Sequence, residues 1–210
     1  MSRRIGLYGV VADFVPGVVF VVVLGVFVGE ATAFELPELT TAELVLAVVF
    51  GGYVAGRFVR ALSGSLERAV ERIFKPEYDY AAIYEAAKER SVPAPHIDGS
   101  DDDRVEGFAR RLAHEESDAY ARQNSVYRYS RNILTVTVVY GFVFVVAPSV
   151  SEVGNIYGFS VFWIGVLLLL VSVFLLYRTR VLYHRRKRAL EDGFYMGLQG
   201  MGRSRQDAEE

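Results

Sequence analysis

The sequence predicts an all-α, polytopic membrane protein in which four transmembrane helices extend into a helical cytoplasmic domain. Of its 210 residues, 52% are hydrophobic and 23% are charged, averages that are typical of a soluble domain. The charges are distributed unevenly, however. Four stretches contain no Asp, Glu, Lys or Arg: 14–29, 44–56, 132–151 and 153–177. The last two reach the ~18 uncharged, mostly apolar residues that indicate a membrane span.

The predicted spans are slightly longer than these uncharged stretches. Crossing ~30 Å of hydrocarbon takes ~20 helical residues at ~1.5 Å each. The first two spans reach that length only if they include Asp13 and Arg57, respectively. The predicted spans are 10–28, 42–62, 133–150 and 156–177.

The N-terminus has two interpretations. Arg3 and Arg4 precede an apolar run, and Ala31-Thr32-Ala33 resembles a small-residue cleavage site, as in a twin-arginine or Sec-type signal peptide. Cleavage there would give a mature chain that starts at Phe34 and lacks the first span. We favour a retained span because Asp13 and Pro16 interrupt the apolar run.

The basic residues predict the orientation. The loops 29–43 and 151–155 contain acidic residues but no Lys or Arg, so all 23 basic residues fall at the N-terminus, between 57 and 131, or after 177. Short cytoplasmic loops are enriched in Lys and Arg. We therefore expect a multi-pass protein of the plasma membrane with both termini in the cytoplasm.

Helical periodicity continues beyond the spans. Apolar residues recur at three- and four-residue steps from 59 to 73, and a further helix is predicted over 101–147. The resulting division is a first transmembrane hairpin at 1–62, a cytoplasmic helical insert at 63–131, a second hairpin at 132–177, and a basic cytoplasmic helix and tail at 178–210.

Asp13 and Arg57 are the first candidate functional residues. Counted from the outer ends of their helices, both lie about 22–24 Å deep, and the same count on the third span reaches Arg131 and Asn132. Ionisable residues in a membrane usually face partners or water, so an Asp13–Arg57 pair is one hypothesis. The alternative is that Arg57 and Arg60 extend to lipid headgroups while Asp13 caps a helix start.

Small residues spaced by four positions indicate close helix packing in lipid. The pairs that fit are Gly25/Gly29, Gly52/Gly56 and Gly154/Gly158. The signal is concentrated at 51–56, where several small residues share one span. Packing within one chain and packing between copies are both compatible with it.

A basic cluster follows the fourth span. It is predicted to bind anionic lipid headgroups and to enforce topology. The net charge of −2 and the lack of an aromatic stacking platform argue against nucleic acid as a partner. The cluster consists of Arg178, Arg180, Arg185, Arg186, Lys187 and Arg188.

Composition excludes several chemistries. The absence of cysteine rules out disulfides, thiol nucleophiles, Cys-ligated zinc and iron–sulfur clusters. The three histidines, at 96, 114 and 184, form no metal-binding motif. We expect no enzymatic activity, no catalytic residue, no metal and no cofactor. The ratio of 20 Arg to 3 Lys predicts a genome bias, as in a GC-rich or a halophilic prokaryote.

The layout resembles a loose class of uncharacterised small prokaryotic membrane proteins with four spans. The likeness is carried by Val15-Pro16-Gly17 in the first span, the Gly-rich segment 51–57 that ends in Arg57, and the charged helical insert. Some proteins of this class are membrane effectors beside a cytoplasmic sensor in antiviral systems. The resemblance implies no ligand and no active-site residue.

Two functional hypotheses follow. The first is a homo-oligomeric, ion-conducting or membrane-perturbing effector gated by its cytoplasmic helices, whose acidic outer loops would favour cations. The second is a membrane scaffold or anchor that docks a cytoplasmic protein partner. For the first hypothesis, the spans offer few polar groups to line a pore, namely Thr135, Thr137, Tyr140 and Ser160.

Overall fold

A computed structural model of the chain describes residues 2–32, 40–73, 109–110, 113, 118–150, 155–156 and 159–209. These residues form four long helices and one short antiparallel hairpin of two strands. The elements are α1 (Ser2–Thr32), α2 (Thr41–Ile73), α3 (Asp118–Val150), β1 (Asn155–Ile156), β2 (Phe159–Ser160) and α4 (Val161–Glu209).

The prediction of four spanning helices is confirmed by length and composition. Each helix contains one segment that is long and apolar enough to cross a membrane: Val10–Gly29, Thr41–Glu67, Ala119–Ser149 and Val161–Tyr195. The chain is therefore helical and multi-pass in character, as expected for ~20 apolar residues per crossing.

Helix α2 begins at Thr41 because Thr40 and Glu43 form a capping box. The Thr40 backbone N–H and hydroxyl both donate to Glu43 Oε2, at 2.9 and 2.7 Å, while the Glu43 backbone N–H donates to Thr40 Oγ1 at 3.4 Å. This reciprocal pairing satisfies backbone groups that the first helical turn would otherwise leave without partners.

The fourth helix starts later than predicted. The predicted span starts at 156, but Asn155–Ile156 and Phe159–Ser160 form two antiparallel strands in which Asn155 pairs with Ser160 and Ile156 pairs with Phe159. The predicted start was wrong because the apolar run continues without a charge through both structures. Two residues connect the strands, and the second is Gly158, a composition that favours tight hairpin turns.

The long helix predicted over 101–147 can be assessed only in part. Helix α3 runs from Asp118 to Val150, so it ends three residues beyond the predicted limit. Residues 101–108, 111–112 and 114–117 lie outside the described part of the chain.

The chain forms two compact units. The first comprises 1–74 with 125–181, and the second comprises 75–124 with 182–210. Both predicted transmembrane hairpins fall in the first unit, and α3 and α4 contribute residues to both units. Within the second unit, the buried apolar residues are Ala109, Ala113, Tyr120, Ala121, Leu182, Tyr183, Leu190 and Phe194.

The core of the first unit is apolar and rich in aromatic rings. Phe27 of α1 stacks on Phe144 of α3 with ring centroids 5.3 Å apart, and Phe20 lies 5.2 Å from Tyr140. Aromatic pairs in such arrangements stabilise a core by more than the burial of their surface area alone. The buried cluster around them consists of Val59, Val136, Tyr140, Phe144, Ala147, Ile156 and Val161.

Helices α1 and α2 touch at their backbones. A Cβ atom at Gly17 would collide with the backbones of Gly52 and Gly56, and one at Gly56 would lie 2.5 Å from the Asp13 carbonyl oxygen. The approach therefore requires glycine on both helices. Gly52 and Gly56 were predicted from their spacing, whereas Gly17 was not.

The other predicted glycine pairs behave differently. No atom of the described residues lies within 4 Å of a Cβ placed at Gly25 or Gly29, so the packing predicted there is not seen within the chain. The pair Gly154/Gly158 lies outside the described residues. Close packing of α3 and α4 instead uses Gly165, where a Cβ would lie 2.7 Å from the Val145 backbone nitrogen.

A candidate binding site built around Asp13

Asp13 is the centre of an ion cluster that joins three helices. Its Oδ2 accepts hydrogen bonds from Arg128 Nη2 of α3 at 2.6 Å and from Arg60 Nη1 of α2 at 3.2 Å. Its Oδ1 accepts from Asn132 Nδ2 at 3.1 Å. A carboxylate so surrounded by charged and amide donors is well compensated away from water.

Asn132 extends the cluster into the bundle. Its fully buried side chain also donates to the Ala12 carbonyl at 3.0 Å and accepts from Ser63 Oγ at 2.6 Å. One neutral amide therefore bonds to both α1 and α2 from its place on α3. Buried polar groups are satisfied in this way because an unpaired one is costly.

The predicted Asp13–Arg57 pair is replaced by other contacts. Both side chains lie within the described part of the chain, and Arg57 does not bond to Asp13. Its Nη2 donates to the Tyr53 hydroxyl at 3.1 Å, and its guanidinium lies 5.4 Å from the centroid of that ring. Arg60 takes the expected position instead, since it lies three residues further along α2, about 4.5 Å of rise and about 60° of rotation away from Arg57.

The alternative interpretation is corrected as well. Helix α1 begins at Ser2, so Asp13 lies well inside the helix and does not cap its start. Arg60 binds Asp13 while 46% of its side chain remains exposed.

A second ion pair lies on the same helices. Arg131 of α3 pairs with Glu67 of α2, and the Arg131 guanidinium lies 5.9 Å from the centroid of the Tyr127 ring. Only 7% of the Arg131 side chain is exposed. The residue count on the third span placed Arg131 and Asn132 at the same depth as Asp13. Arg131 at that depth forms an ion pair of its own, separate from the Asp13 cluster.

A cavity of about 200 Å³ adjoins the Asp13 cluster. Its described lining carries three guanidinium groups, one carboxylate, one phenol and two apolar side chains. The exposed residues Tyr53 and Arg57 place it at the protein surface. The lining consists of Val10, Asp13, Phe14, Tyr53, Arg57, Arg60 and Arg128.

The predicted headgroup-binding cluster divides into two sets. Arg178, Arg180, Arg185 and Arg188 are exposed. Arg186 and Lys187 are buried, with their charged groups 5.2 and 5.8 Å from the centroid of the Tyr183 ring. Headgroup binding by the cluster stays a prediction, and the four exposed arginines are the members whose side chains are accessible for it. A helix turns ~100° per residue, so consecutive residues cannot all share one face.

The polar residues considered as pore lining mostly bond within the chain. Thr135 and Thr137 donate to the carbonyls one turn earlier on α3, at 3.0 and 2.9 Å, and the Tyr140 hydroxyl donates to the Phe20 carbonyl. Ser160 lies half-buried in β2. Across the described ranges, no three His, Cys, Asp or Glu side chains come close enough to hold a metal ion.

Sequence reasoning did not identify Arg128, Ser63 or the role of Arg60. A usable signal was present for Arg128, because it lies four residues before Asn132 and therefore on the same face of α3. Ser63 lies three residues after Arg60 and shares its face of α2 in the same way.

The described chain therefore has four helices long and apolar enough to cross a membrane, and an ion cluster links three of them. No protein-family model, curated protein or solved structure matches the chain. Similarity to known proteins therefore assigns no function to the Asp13 cluster or to the cavity beside it.

Proposed function

We propose that the chain is a non-enzymatic scaffold of the plasma membrane, with both termini in the cytoplasm, that anchors helices for a cytoplasmic protein partner. The orientation is supported by the acidic, Lys/Arg-free loops 29–43 and 151–155. Under this orientation, the Asp13 cluster lies near the cytoplasmic end of the bundle.

The ion cluster is the observation that carries this proposal. It fixes α1, α2 and α3 to one another through Asp13, Arg60, Arg128 and Asn132. Helix α2 continues from Glu67 to Ile73 beyond its apolar segment, and α4 continues from Arg178, the first charge after its uncharged stretch, to Glu209. Unbroken helices that leave a locked bundle are suited to holding a docking surface at a defined distance from the bilayer.

The interior of one copy favours a scaffold over a pore. The core around Tyr140 and Phe144 is apolar, and the α3 hydroxyls already bond to backbone carbonyls. Conduction would therefore require a path between several copies. Large exposed apolar side chains such as Phe50 and Trp163 face lipid or another copy, and we expect a homo-oligomer, which the detergent-corrected mass of the purified protein measures.

Orientation can be tested with single cysteines because the natural chain has none. We expect Ser2→Cys and Gln206→Cys to be protected from a membrane-impermeant maleimide in intact cells and labelled after permeabilisation. Thr40→Cys, at the start of α2, should be labelled from outside. Labelling of Ser2→Cys in intact cells would contradict the proposed orientation.

The scaffold function can be tested by crosslinking and by ion flux. A photoreactive residue at exposed Arg188 should give one discrete adduct with a different protein in cells, whereas the same residue at Leu167, within the apolar part of α4, should give none except with a second copy of the chain. Liposomes that contain the purified chain should show no ion flux. Flux above that of empty liposomes would overturn the scaffold in favour of the ion-conducting effector.

A further inference from the structure

The cavity beside Asp13 has an excess of positive charge. Its described lining contributes three guanidinium groups, from Arg57, Arg60 and Arg128, against the single carboxylate of Asp13. Uncompensated charge is expensive near the hydrocarbon of a bilayer. Among the described residues Asp13 is the only carboxylate in the lining, so a bound anion, or water, would complete the site.

Donor capacity also exceeds the acceptors supplied. Each guanidinium has five N–H donors, while Asp13 already accepts from Arg60, Arg128 and Asn132. Arg57 is exposed and donates to a neutral phenol. Arg128 Nε is buried and has no hydrogen-bond partner among the described residues. Several donors are thus available to an anion with multiple oxygen atoms.

The position in the bundle identifies the source of that anion. The cavity lies at one end of the apolar segments of α1 and α2, where Val10 begins the first and Arg60 lies within a few residues of the end of the second. Headgroup phosphates occupy the corresponding layer of a bilayer. Val10 and Phe14 add an apolar wall next to the three guanidinium groups.

We propose that this cavity is a binding site for the phosphodiester group of an anionic phospholipid. Arg57 and Arg60 contact the phosphate oxygens, and Tyr53 holds Arg57 in place. The volume of about 200 Å³ is below the ~300–1,000 Å³ of pockets that enclose drug-sized ligands. The cavity therefore takes the headgroup, while the acyl chains remain in the bilayer.

The arrangement of Tyr53 selects against zwitterionic lipids. Quaternary ammonium groups are usually recognised by the faces of aromatic rings. Here the Arg57 guanidinium already lies 5.4 Å from the centroid of the Tyr53 ring and would repel a choline group. An anionic headgroup such as that of phosphatidylglycerol brings no second positive charge. The site depends on insertion of the chain in a bilayer and not on the scaffold function.

Native mass spectrometry of the full chain in detergent tests the site. Delipidated protein is titrated separately with phosphatidylglycerol, phosphatidylcholine and inorganic phosphate. We expect phosphatidylglycerol to saturate one site per chain. Its affinity should be about tenfold above that of phosphatidylcholine, because one charge-assisted contact contributes roughly a factor of ten. Equal affinity for the two lipids would overturn the proposed selection of anionic headgroups.

A matched pair of variants separates a defined site from diffuse attraction. Arg57→Gln should weaken phosphatidylglycerol binding about tenfold. Arg122→Gln removes the same charge from an exposed position on α3 that does not line the cavity, and it should change binding less than about twofold. Equal losses in both variants would show general electrostatic attraction and overturn the site.

Two further measurements keep the proposal falsifiable. Tyr53→Phe should weaken phosphatidylglycerol binding by a smaller factor than Arg57→Gln, since it removes only the hydroxyl that holds Arg57. Inorganic phosphate should not displace the lipid at equal concentration. If phosphate displaces it fully, the site binds a soluble phosphate and the assignment to lipid is wrong. The unfolding temperature in lipid-free detergent verifies that each variant is folded.

Discussion

Arg128 Nη2 lies 2.6 Å from Asp13 Oδ2, which ties the third helix to the first through residues that are 115 positions apart in sequence. About a fifth or less of each side chain is exposed, 20% for Arg128 and 15% for Asp13. Removing one member of such a pair leaves the other as an uncompensated charge, which costs more than the pair itself contributes.

A double-mutant cycle should therefore find strong coupling between Asp13 and Arg128. We expect Asp13→Ala to lower the free energy of unfolding by about 3 kcal/mol, because it leaves the partly buried Arg128 without its carboxylate. Arg128→Ala should cost less, because Asp13 keeps its bonds to Arg60 and Asn132. The double variant should lose less than the sum by about 1 kcal/mol or more. Chemical unfolding in detergent measures all four forms.

The matched control for this cycle is Asp13 with Arg57. Arg57 bonds to Tyr53 and not to Asp13. The losses in free energy of unfolding caused by Arg57→Ala and Asp13→Ala should therefore add within about 0.5 kcal/mol. Strong coupling in the Asp13–Arg57 cycle and additivity in the Asp13–Arg128 cycle would contradict the observed cluster.

Asn132→Leu should destabilise the first unit although it introduces a residue of similar size. It removes the hydrogen bonds to the Ala12 carbonyl, to Asp13 Oδ1 and from Ser63 Oγ. The free energy of unfolding should fall by about 1–3 kcal/mol, because buried polar partners lose bonds that water does not replace. Ile133→Leu, at the adjacent position, should remain close to the natural protein in the same unfolding measurement.

Glycine substitutions should separate the backbone contact from general helix effects. Gly17→Ala and Gly56→Ala place a methyl group against the backbone of the facing helix, so each should destabilise by about 1–3 kcal/mol. Gly25→Ala, where no described atom lies within 4 Å, should be neutral or stabilise slightly through helix propensity. Equal unfolding temperatures for Gly25→Ala and Gly56→Ala would argue against the contact.

Tyr140→Phe tests the junction of α3 with α1. The Tyr140 hydroxyl donates to the Phe20 carbonyl, and its ring packs 5.2 Å from the Phe20 ring. Loss of the hydroxyl alone should lower the free energy of unfolding by about 1 kcal/mol, the usual net contribution of one hydrogen bond. The cost stays small because the Phe20 carbonyl remains part of helix α1. Tyr177→Phe, at an exposed position on α4, is the control and should not shift the unfolding transition.

The number of spans could be predicted from sequence because charge and apolar length determine it locally. The depth count also placed Asp13 and Asn132 in one layer, since helical rise is the same in every helix. The choice between Arg57 and Arg60 could not be made, because it depends on which face of α2 meets α1. That face is determined by Gly17, whose role appears only when Gly52 and Gly56 lie opposite it.

The hairpin at 155–160 shows a different limit. Ile156 and Phe159 are as compatible with a strand as with an apolar helix, and no charge marks the change. Apolar periodicity cannot separate the two over so few residues. The basic cluster shows the same limit. Arg186 and Lys187 are buried, whereas their neighbours Arg185 and Arg188 are exposed. Which of them is buried depends on the rotation of the helix, and a run of consecutive basic residues does not predict that rotation.

The 115 residues between Asp13 and Arg128 also impose an order on biosynthesis. Chains are made at ~5–20 residues per second, so Arg128 follows Asp13 by roughly 6–23 s. Arg60, only 47 positions from Asp13, emerges well before it. The contact between Asp13 and Arg60 can therefore form before Arg128 and Asn132, which join α3 to the same carboxylate, have been synthesised.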